Sequence, residues 1–229
     1  MRLLVGCPVR ERSWILEHWH DAVRTASERA GLRPEFLFVV GSDAHKDISL
    51  IDNLIRGERI TLEEPSRDDE RAWNPDRYQH MADLRNALLS RVREREPDVW
   101  WSLDSDIITH PDSLARGIRA LEQFDAVGLR CYMTRRGREC PSYGMLNNGG
   151  LLRRDQYGVF PVDVIMASKL MTPKAYGVDY VADRLLGEDI GWSQAARKAG
   201  CKLGWEGTTV SKHVMRRQDL FALDERCGY

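Results

Sequence analysis

The sequence has no stretch approaching the ~18 apolar residues of a membrane-spanning helix. It also shows no signal-peptide pattern, since a β-prone run begins at once at the amino terminus. Net charge of either sign is nearly absent, because 34 lysines and arginines balance 35 aspartates and glutamates. No overall field therefore favours nucleic acid or an anionic membrane as a partner, and we expect a soluble chain.

Paired cysteines are also lacking. The chain has five cysteines, an odd number, and none of them forms a Cys-x-x-Cys motif. This disfavours a disulfide framework and a zinc ribbon and suits a reducing compartment, so we expect a cytoplasmic location. With 229 residues and 42% hydrophobic content, the chain can build a real core in one large domain or two small ones.

The chain is organised around an apolar, β-prone run at 99–103 that ends in two carboxylates, Asp104 and Asp106. The run is too short for a helix and predicts a central strand buried on both faces. Residues i and i+2 of an extended chain share a side, so both carboxylates project together at the carboxyl end of that strand. They suit a divalent cation bound to phosphates, although a bare Asp-x-Asp is more often a turn or a helix cap.

Strand and helix patterns alternate through the first 130 residues or so, which predicts an α/β fold with a parallel sheet. Strands are expected at 2–5, 35–40 and 126–133, and helices at 12–30, 80–95 and 112–124. Pro8 and Arg10 then lie in the loop after the first strand and Asp43 after the second, at the edge that carries the two central carboxylates. The charge-dense stretch 56–71 is either a solvated connection or an active-site loop.

The second half contains further candidates. The glycine-rich stretch 144–150 favours a hairpin turn. Glu188 and Asp189 open a predicted helix, where acidic residues commonly only complement the helix dipole. Trp192 offers an apolar face to a ligand, but a core position is the more frequent role of tryptophan. His213 is the only histidine after His110, so any nitrogen ligand from the distal segment must be His213.

Taken in order, these pieces resemble the nucleotide-sugar-dependent glycosyltransferases of the GT-A fold, family 2-like. The resemblance covers residues 3 to 215 and is carried by five motifs: Gly6-Cys7-Pro8-Val9-Arg10, Leu84-Arg85-Asn86-Ala87, Leu103-Asp104-Ser105-Asp106, Gly187-Glu188-Asp189 and Lys212-His213. The first motif departs from the family, because it lacks the Asn-Glu that many members carry after strand one.

The resemblance implies a three-layer α/β/α sandwich with a mostly parallel central sheet. It implies one domain at 1–229, with a nucleotide-binding half at 1–125 and an acceptor-binding half at 126–229. The implied ligands are a UDP- or GDP-sugar donor and Mn²⁺ or Mg²⁺. The acceptor hydroxyl could belong to a saccharide, a metabolite, a protein or a modified nucleobase, and the sequence does not indicate an oligomeric state.

The resemblance also assigns the site residues. The implied metal ligands are Asp104, Asp106 and His213, and Asp189 is implied as the base that deprotonates the acceptor in inverting members, with Glu188 in a supporting role. The expected donor-binding residues follow the first two strands, lie on the preceding helix and include the Asp-x-Asp stretch: Pro8, Arg10, Asp43, Arg85, Asp104, Ser105 and Asp106.

Two other classes remain open. A sugar-nucleotidyltransferase also combines an α/β sheet with acidic metal ligands, but such proteins open with a long glycine-rich loop, and the loop here has one glycine, Gly6. A carbohydrate-binding relative without turnover is the non-enzymatic alternative. The joint presence of Asp104, Asp106, Asp189 and His213 argues against it.

Overall fold

The computed structural model describes residues 1–63, 74–135, 138–142, 157–183, 187–214 and 216–221. Strands and helices alternate along the first half, and strands predominate in the second. Within the described residues the α-helices and strands are β1 (Leu3–Val9), α1 (Leu16–Arg29), β2 (Pro34–Gly41), α2 (His45–Leu50), β3 (Glu58–Leu62), α3 (Pro75–Arg95), β4 (Val99–Leu103), β5 (Ile107–Ile108), α4 (Ser113–Ala120), β6 (Ala126–Arg135), β7 (Arg138–Ser142), β8 (Val159–Pro161), β9 (Ser168–Met171), α5 (Pro173–Tyr176), α6 (Glu188–Lys198) and β10 (Leu203–His213). A π-helical segment (Ile51–Ile55) follows α2, and a 3-10 helix (Arg217–Phe221) follows β10.

One sheet joins these strands in the order β3-β2-β1-β4-β9-β6-β10-β5, with β7 added on β6 and β8 on β10. The pairs β3–β2, β2–β1, β1–β4 and β6–β10 are parallel. Strand β9 lies between β4 and β6 and is antiparallel to both. Strands β3, β2, β1, β4, β6 and β10 therefore run in one direction, which confirms the mostly parallel sheet.

Helices cover both faces of the sheet. Leu3 and Val5 of β1 pack on one face in a core shared with α1 and α4. Leu4, between them, packs on the other face with α3, α5 and α6. Alternate residues of a strand point to opposite faces, and here both faces are covered, so the predicted three-layer α/β/α sandwich is confirmed.

The central strand has the predicted bounds, but other elements differ. The charge-dense stretch contains β3, whose alternately half-buried residues form the edge of the sheet beside β2. Helix α3 begins at Pro75, five residues before the predicted start, because the Asn74 side chain caps it by accepting from the Arg77 amide at 2.9 Å. Helices α1 and α4 are shorter than predicted. The glycine-rich stretch 144–150 lies outside the described residues.

Pro8 also departs from its expected place. It lies inside β1, in register with Val39 of β2, rather than in the loop after the strand. Strand β4 pairs with β1 only as far as Gly6, so at Pro8 the strand has one neighbour, and a position of that kind tolerates the missing donor.

No helix in the described parts of the chain has the length and apolar character needed to cross a membrane.

Candidate functional site

The two central carboxylates lie at the carboxyl end of β4 but have different partners. Asp104 Oδ1 accepts a hydrogen bond from Arg85 Nη2 at 2.8 Å, and about a quarter of its side chain is exposed. Asp106 is more deeply buried and accepts from Arg12 Nη2 at 3.1 Å. The structure thus brings both residues to the predicted edge and gives each its own cationic partner.

His213, from the distal motif, meets Asp106. Its Nε2 atom lies 3.1 Å from Asp106 Oδ1. The contact follows from the sheet, because β10 pairs with β5 with His213 opposite Ile107, and the Val214 amide donates to the Asp106 carbonyl at 2.8 Å. Two residues more than 100 positions apart in sequence are therefore held together by backbone pairing.

Each member of this pair changes the pKa of the other. Burial acts to raise the pKa of Asp106, but the charges of His213 and Arg12 outweigh it and hold that pKa below its ordinary value. Burial acts to lower the pKa of His213, and the adjacent Asp106 outweighs it, so the pKa of His213 is raised. The contact therefore favours the ionised form of Asp106.

The geometry of the pair fits a divalent cation. Two ligands at neighbouring corners of an octahedron with metal–ligand bonds of ~2.1 Å are about 3 Å apart, and Asp106 Oδ1 and His213 Nε2 are 3.1 Å apart. Carboxylate and imidazole are both ligands that Mn²⁺ accepts. Among the described residues no three His, Cys, Asp or Glu side chains form a metal-holding group, and Asp104 is hydrogen-bonded to Arg85. Asp106 and His213 thus fit a site that substrate phosphates would complete.

Arg85 joins the central carboxylates to those of α6. Its side chain is 3% exposed, and its Nε atom lies 3.3 Å from Glu188 Oε1 while Nη2 contacts Asp104. Nε is also 3.9 Å from Asp189 Oδ1. The guanidinium is therefore buried among these groups, and the expected role of Arg85 in donor binding stays a prediction.

Glu188 and Asp189 have different electrostatic environments. Burial and the adjacent Asp189 raise the pKa of Glu188. Burial also acts to raise the pKa of Asp189, but Lys169 and Arg85 outweigh it and hold that pKa below its ordinary value. Lys169 Nζ hydrogen bonds to Asp189 Oδ1, and the Ala167 amide donates to Oδ2 at 3.3 Å.

The loop after β1 supplies two arginines to the edge. Arg10 Nη2 lies 3.9 Å from Asp43 Oδ2, which places both predicted residues together. The buried carboxylate of Asp47 accepts from the Arg12 amide at 3.1 Å and also from the amides of Glu11 and Ser13. Glu11 has a φ of 53°, so this set of bonds holds a left-handed turn that aims Arg12 at Asp106.

Sequence reasoning missed Arg12, Asp47 and Lys169. Lys169 has no clear sequence signal, because the run 168–171 is Ser-Lys-Leu-Met and lacks β-branched and aromatic residues, and a lysine in a strand ordinarily indicates an edge strand. Ser105, predicted beside the donor, is almost completely buried. Trp192 is fully buried and packs in the core, so the core alternative is confirmed.

Comparisons with solved structures connect this arrangement to known folds. Staphylococcus aureus TarS 1–349, solved in complex with UDP-GlcNAc, matches with a TM-score of 0.62 and 12% identity over 100% of this chain and 61% of that chain. The mannosyltransferase PcManGT from Pyrobaculum calidifontis, solved with GDP-Man and Mn²⁺, matches with a TM-score of 0.57 and 13% identity over 94% of this chain and 57% of that chain. The chain thus spans about three fifths of these glycosyltransferase structures.

Nucleotidyltransferases share the fold. The inositol-1-phosphate CTP transferase from T. maritima matches with a TM-score of 0.51 and 13% identity over 100% of this chain and 94% of that chain. No protein-family model matches the sequence, and a search of curated proteins also gives no match. The GT-A fold expected from the sequence motifs is confirmed. Sequence identities of 12–13% to these structures show a shared fold and no more.

Proposed function

We propose that this chain is a metal-dependent glycosyltransferase that moves a sugar from a UDP- or GDP-sugar to an acceptor hydroxyl. The observation that carries the proposal is the bridge made by Arg85, which contacts Asp104 at 2.8 Å and Glu188 at 3.3 Å. A sugar transfer needs donor diphosphate and acceptor hydroxyl side by side. The bridge joins carboxylates suited to these two tasks at the ligand-binding edge of the sheet.

On the donor side, we propose that Asp106 and His213 hold Mn²⁺ or Mg²⁺. Such a cation, when bound, supplies positive charge to the leaving diphosphate. Arg12 adds fixed charge beside Asp106, since its Nη2 is 3.1 Å from that carboxylate. Pro8, Arg10, Asp43, Asp104 and Ser105 are the remaining proposed donor-binding residues, which assigns the donor mainly to the half at 1–125.

On the acceptor side, we propose Asp189 as the general base and Glu188 as its support. The acceptor oxygen attacks the anomeric carbon, the bond from that carbon to the diphosphate oxygen breaks, and the hydroxyl proton moves to the Asp189 carboxylate. This is an inverting displacement. The lowered pKa of Asp189 keeps the carboxylate ionised before reaction, so it is available as a proton acceptor.

The similar structures support the ligand classes. TarS was solved with UDP-GlcNAc and PcManGT with GDP-Man and Mn²⁺, so both proposed nucleotides occur on this fold. The acceptor class stays open among a saccharide, a metabolite, a protein and a modified nucleobase. A cytoplasmic location is part of the proposal and is supported by the free, buried thiols of Cys7 and Cys201.

One observation favours a nucleotidyltransferase as the second candidate. The match to the T. maritima CTP transferase covers nearly all of both chains, whereas the glycosyltransferases extend well beyond this chain. The loop after β1 opposes this candidate, because residues 10–15 contain no glycine and Gly6 lies inside β1, so a long glycine-rich phosphate loop is lacking here.

One screen separates the candidates. The protein is incubated with a panel of UDP- and GDP-sugars and Mn²⁺ or Mg²⁺, and release of the nucleoside diphosphate is followed. In parallel, nucleoside triphosphates and sugar phosphates are tested for release of pyrophosphate. Metal-dependent release of UDP or GDP supports the glycosyltransferase, and release of pyrophosphate supports the nucleotidyltransferase. Neither release, with a sugar nucleotide still bound, indicates a binding protein.

A further inference from the structure

Lys169 is a fully buried lysine in the middle of the sheet. It lies on β9, opposite Ser102 of β4 on one side and Gly128 of β6 on the other. Its side chain is 0% exposed. An ammonium ion loses its hydration at such a position, and lysine is almost never fully buried without a charged partner.

The partner of Lys169 is Asp189. Lys169 Nζ makes an ion pair with Asp189 Oδ1 and lies 5.0 Å from the ring centre of Tyr180 and 5.5 Å from that of Trp192. These rings present their electron-rich faces to the cation and keep water away from it. Because the ammonium is closed in by aromatic rings, its charge acts mainly on the carboxylate.

The contacts of Asp189 fix its orientation. Oδ1 receives Lys169 and lies 3.9 Å from Arg85 Nε, while Oδ2 accepts from the Ala167 amide at 3.3 Å. Ala167 comes two residues before Lys169, so residues at and just before the start of β9 contact both carboxylate oxygens of Asp189. A carboxylate offers about four acceptor sites, which leaves Oδ2 able to accept a further hydrogen bond from a hydroxyl.

We propose that Lys169 is the positioning residue of Asp189, which fixes the carboxylate in the ionised form and orientation that receive the acceptor proton. This inference rests on the proposed role of Asp189 as general base. Lys169 touches no substrate and acts through Asp189. Lys169 has no role in donor binding, which is proposed to use Asp106, just after β4, and His213, at the end of β10.

The charges around Asp189 give the direction of the effect. Lys169 from β9 and Arg85 from α3 lower the pKa of Asp189, whereas burial and the adjacent Glu188 of α6 disfavour its charge. Tyr180 faces Lys169 with its ring. Replacing Lys169 by methionine removes the largest favourable charge and leaves burial in place. The pKa of Asp189 should then rise, and the carboxylate should lose its fixed direction.

The test compares Lys169→Met with Lys174→Met. Lys174 is an exposed lysine five residues away that binds Asp125 Oδ2 at 3.0 Å and the Gly200 carbonyl at 2.8 Å. The readouts are metal-dependent hydrolysis of the donor as a function of pH and the donor Kd. We expect Lys169→Met to keep the donor Kd within about twofold, to lose up to about 100-fold in kcat, and to move the acid limb of kcat to higher pH. Lys174→Met should match the wild type in all three.

A purely structural lysine would give another pattern. Lys169→Met would then lower the melting temperature, while the acid limb of kcat stayed where it is in the wild type, and that result would overturn the inference. The double variant Lys169→Met/Asp189→Asn provides a test if a single variant proves too unstable to assay. Removing both charges should recover melting temperature that each single variant loses. Absence of recovery would show that Asp189 is not the partner of Lys169.

A titration independent of turnover separates this inference from the proposed function. The carboxyl carbon of Asp189 is followed by NMR across pH in the wild type and in Lys169→Met. A higher titration midpoint in the variant supports the inference, and an unchanged midpoint overturns it. If the wild type releases no nucleoside diphosphate from any sugar nucleotide, the proposed function fails, whereas this titration still decides whether Lys169 controls Asp189.

Discussion

The side chain of Asn86 holds both backbone groups of Tyr180. Its Nδ2 donates to the Tyr180 carbonyl at 2.9 Å, and its Oδ1 accepts from the Tyr180 amide at 2.7 Å. The Tyr180 ring lies over Arg85 and Lys169, the two cations that contact the carboxylates of α6. Asn86 thus connects α3 to the segment that closes the buried charge network.

Asn86→Ala should destabilise the fold and the network together. The change leaves the amide and carbonyl of Tyr180 without their partner, and an unsatisfied buried polar group costs about 1–3 kcal/mol. Urea unfolding measures the loss. Asn53→Ala is the control, because Asn53 is exposed and bonds only within its own helical turn, to the Ser49 carbonyl and hydroxyl. Equal stability of the two variants would contradict the role given to Asn86.

His213→Gln should separate metal binding from structural pairing. The glutamine amide can still donate to Asp106, and Arg12 remains beside that carboxylate, so the fold without metal should be kept with a modest loss of melting temperature. Glutamine is a poor replacement for the imidazole nitrogen as a metal ligand. Mn²⁺-dependent affinity for UDP or GDP should fall by at least about 10-fold. His18→Gln, on the exposed face of α1, is the control. Retained Mn²⁺-linked affinity in His213→Gln would show that His213 is only a partner of Asp106.

Asp189→Asn should reduce turnover far more than donor binding. Asparagine keeps the shape of the side chain but cannot take the proton, and loss of a general base typically costs ~10² to 10⁴-fold in rate. Glu188→Gln should cost less, since Glu188 supports the site rather than accepting the proton. Calorimetric titration of the donor and single-turnover hydrolysis measure the two quantities. Strongly weakened donor binding, or hydrolysis near the wild-type rate, would show that another carboxylate is the base.

Asp125 gives a pH dependence of stability away from the site. Burial acts to raise its pKa, but the Lys202 amide at 2.7 Å and Lys174 outweigh it and lower the pKa below 3.8. A depressed carboxylate contributes stability that is present above the unfolded pKa and is lost as pH falls through the folded pKa. The wild type should exceed Asp125→Asn by about 1 kcal/mol at pH 7.

The same comparison at low pH checks the sign. The stability difference between wild type and Asp125→Asn should persist down to about pH 4 and shrink below it, because protonated aspartate resembles asparagine. Urea unfolding at several pH values measures it. A difference that grew as pH fell would contradict the ion-pair account of Asp125.

The sequence predicted the centre of this fold better than its rim. The bounds of β4 follow from an apolar run that ends at Asp104, and burial on both faces needs no knowledge of other strands. Strand β3 was missed because an edge strand beside β2 needs few apolar residues and its charged residues resemble a solvated loop. Edge strands depend on their neighbour more than on their own composition.

The site divides in the same way. The carboxylates and His213 stand in recognisable short motifs, and Asp106 and His213 do meet as those motifs imply. Their supporting partners have no local signature. Lys169 and Asp189 are 20 residues apart, and Arg85 reaches Glu188 across 103 residues, so these contacts exist only once the sheet and α3 are assembled. The tertiary structure decides which charged side chains pair with each other, and a single sequence shows no local pattern for such pairs.

The most direct test of the account is Mn²⁺-dependent binding of UDP and GDP to the wild type and to Asp106→Ala. Removing this carboxylate leaves His213 as the one ligand of the proposed pair, which is too few to hold the cation with the diphosphate. The control is Asp112→Ala, since Asp112 is a carboxylate just beyond β5 that pairs with Arg29 at 2.8 Å. The account predicts Mn²⁺-dependent nucleotide binding in the wild type and in Asp112→Ala and none in Asp106→Ala. Unchanged Mn²⁺-dependent affinity in Asp106→Ala would contradict the proposed metal-assisted donor site.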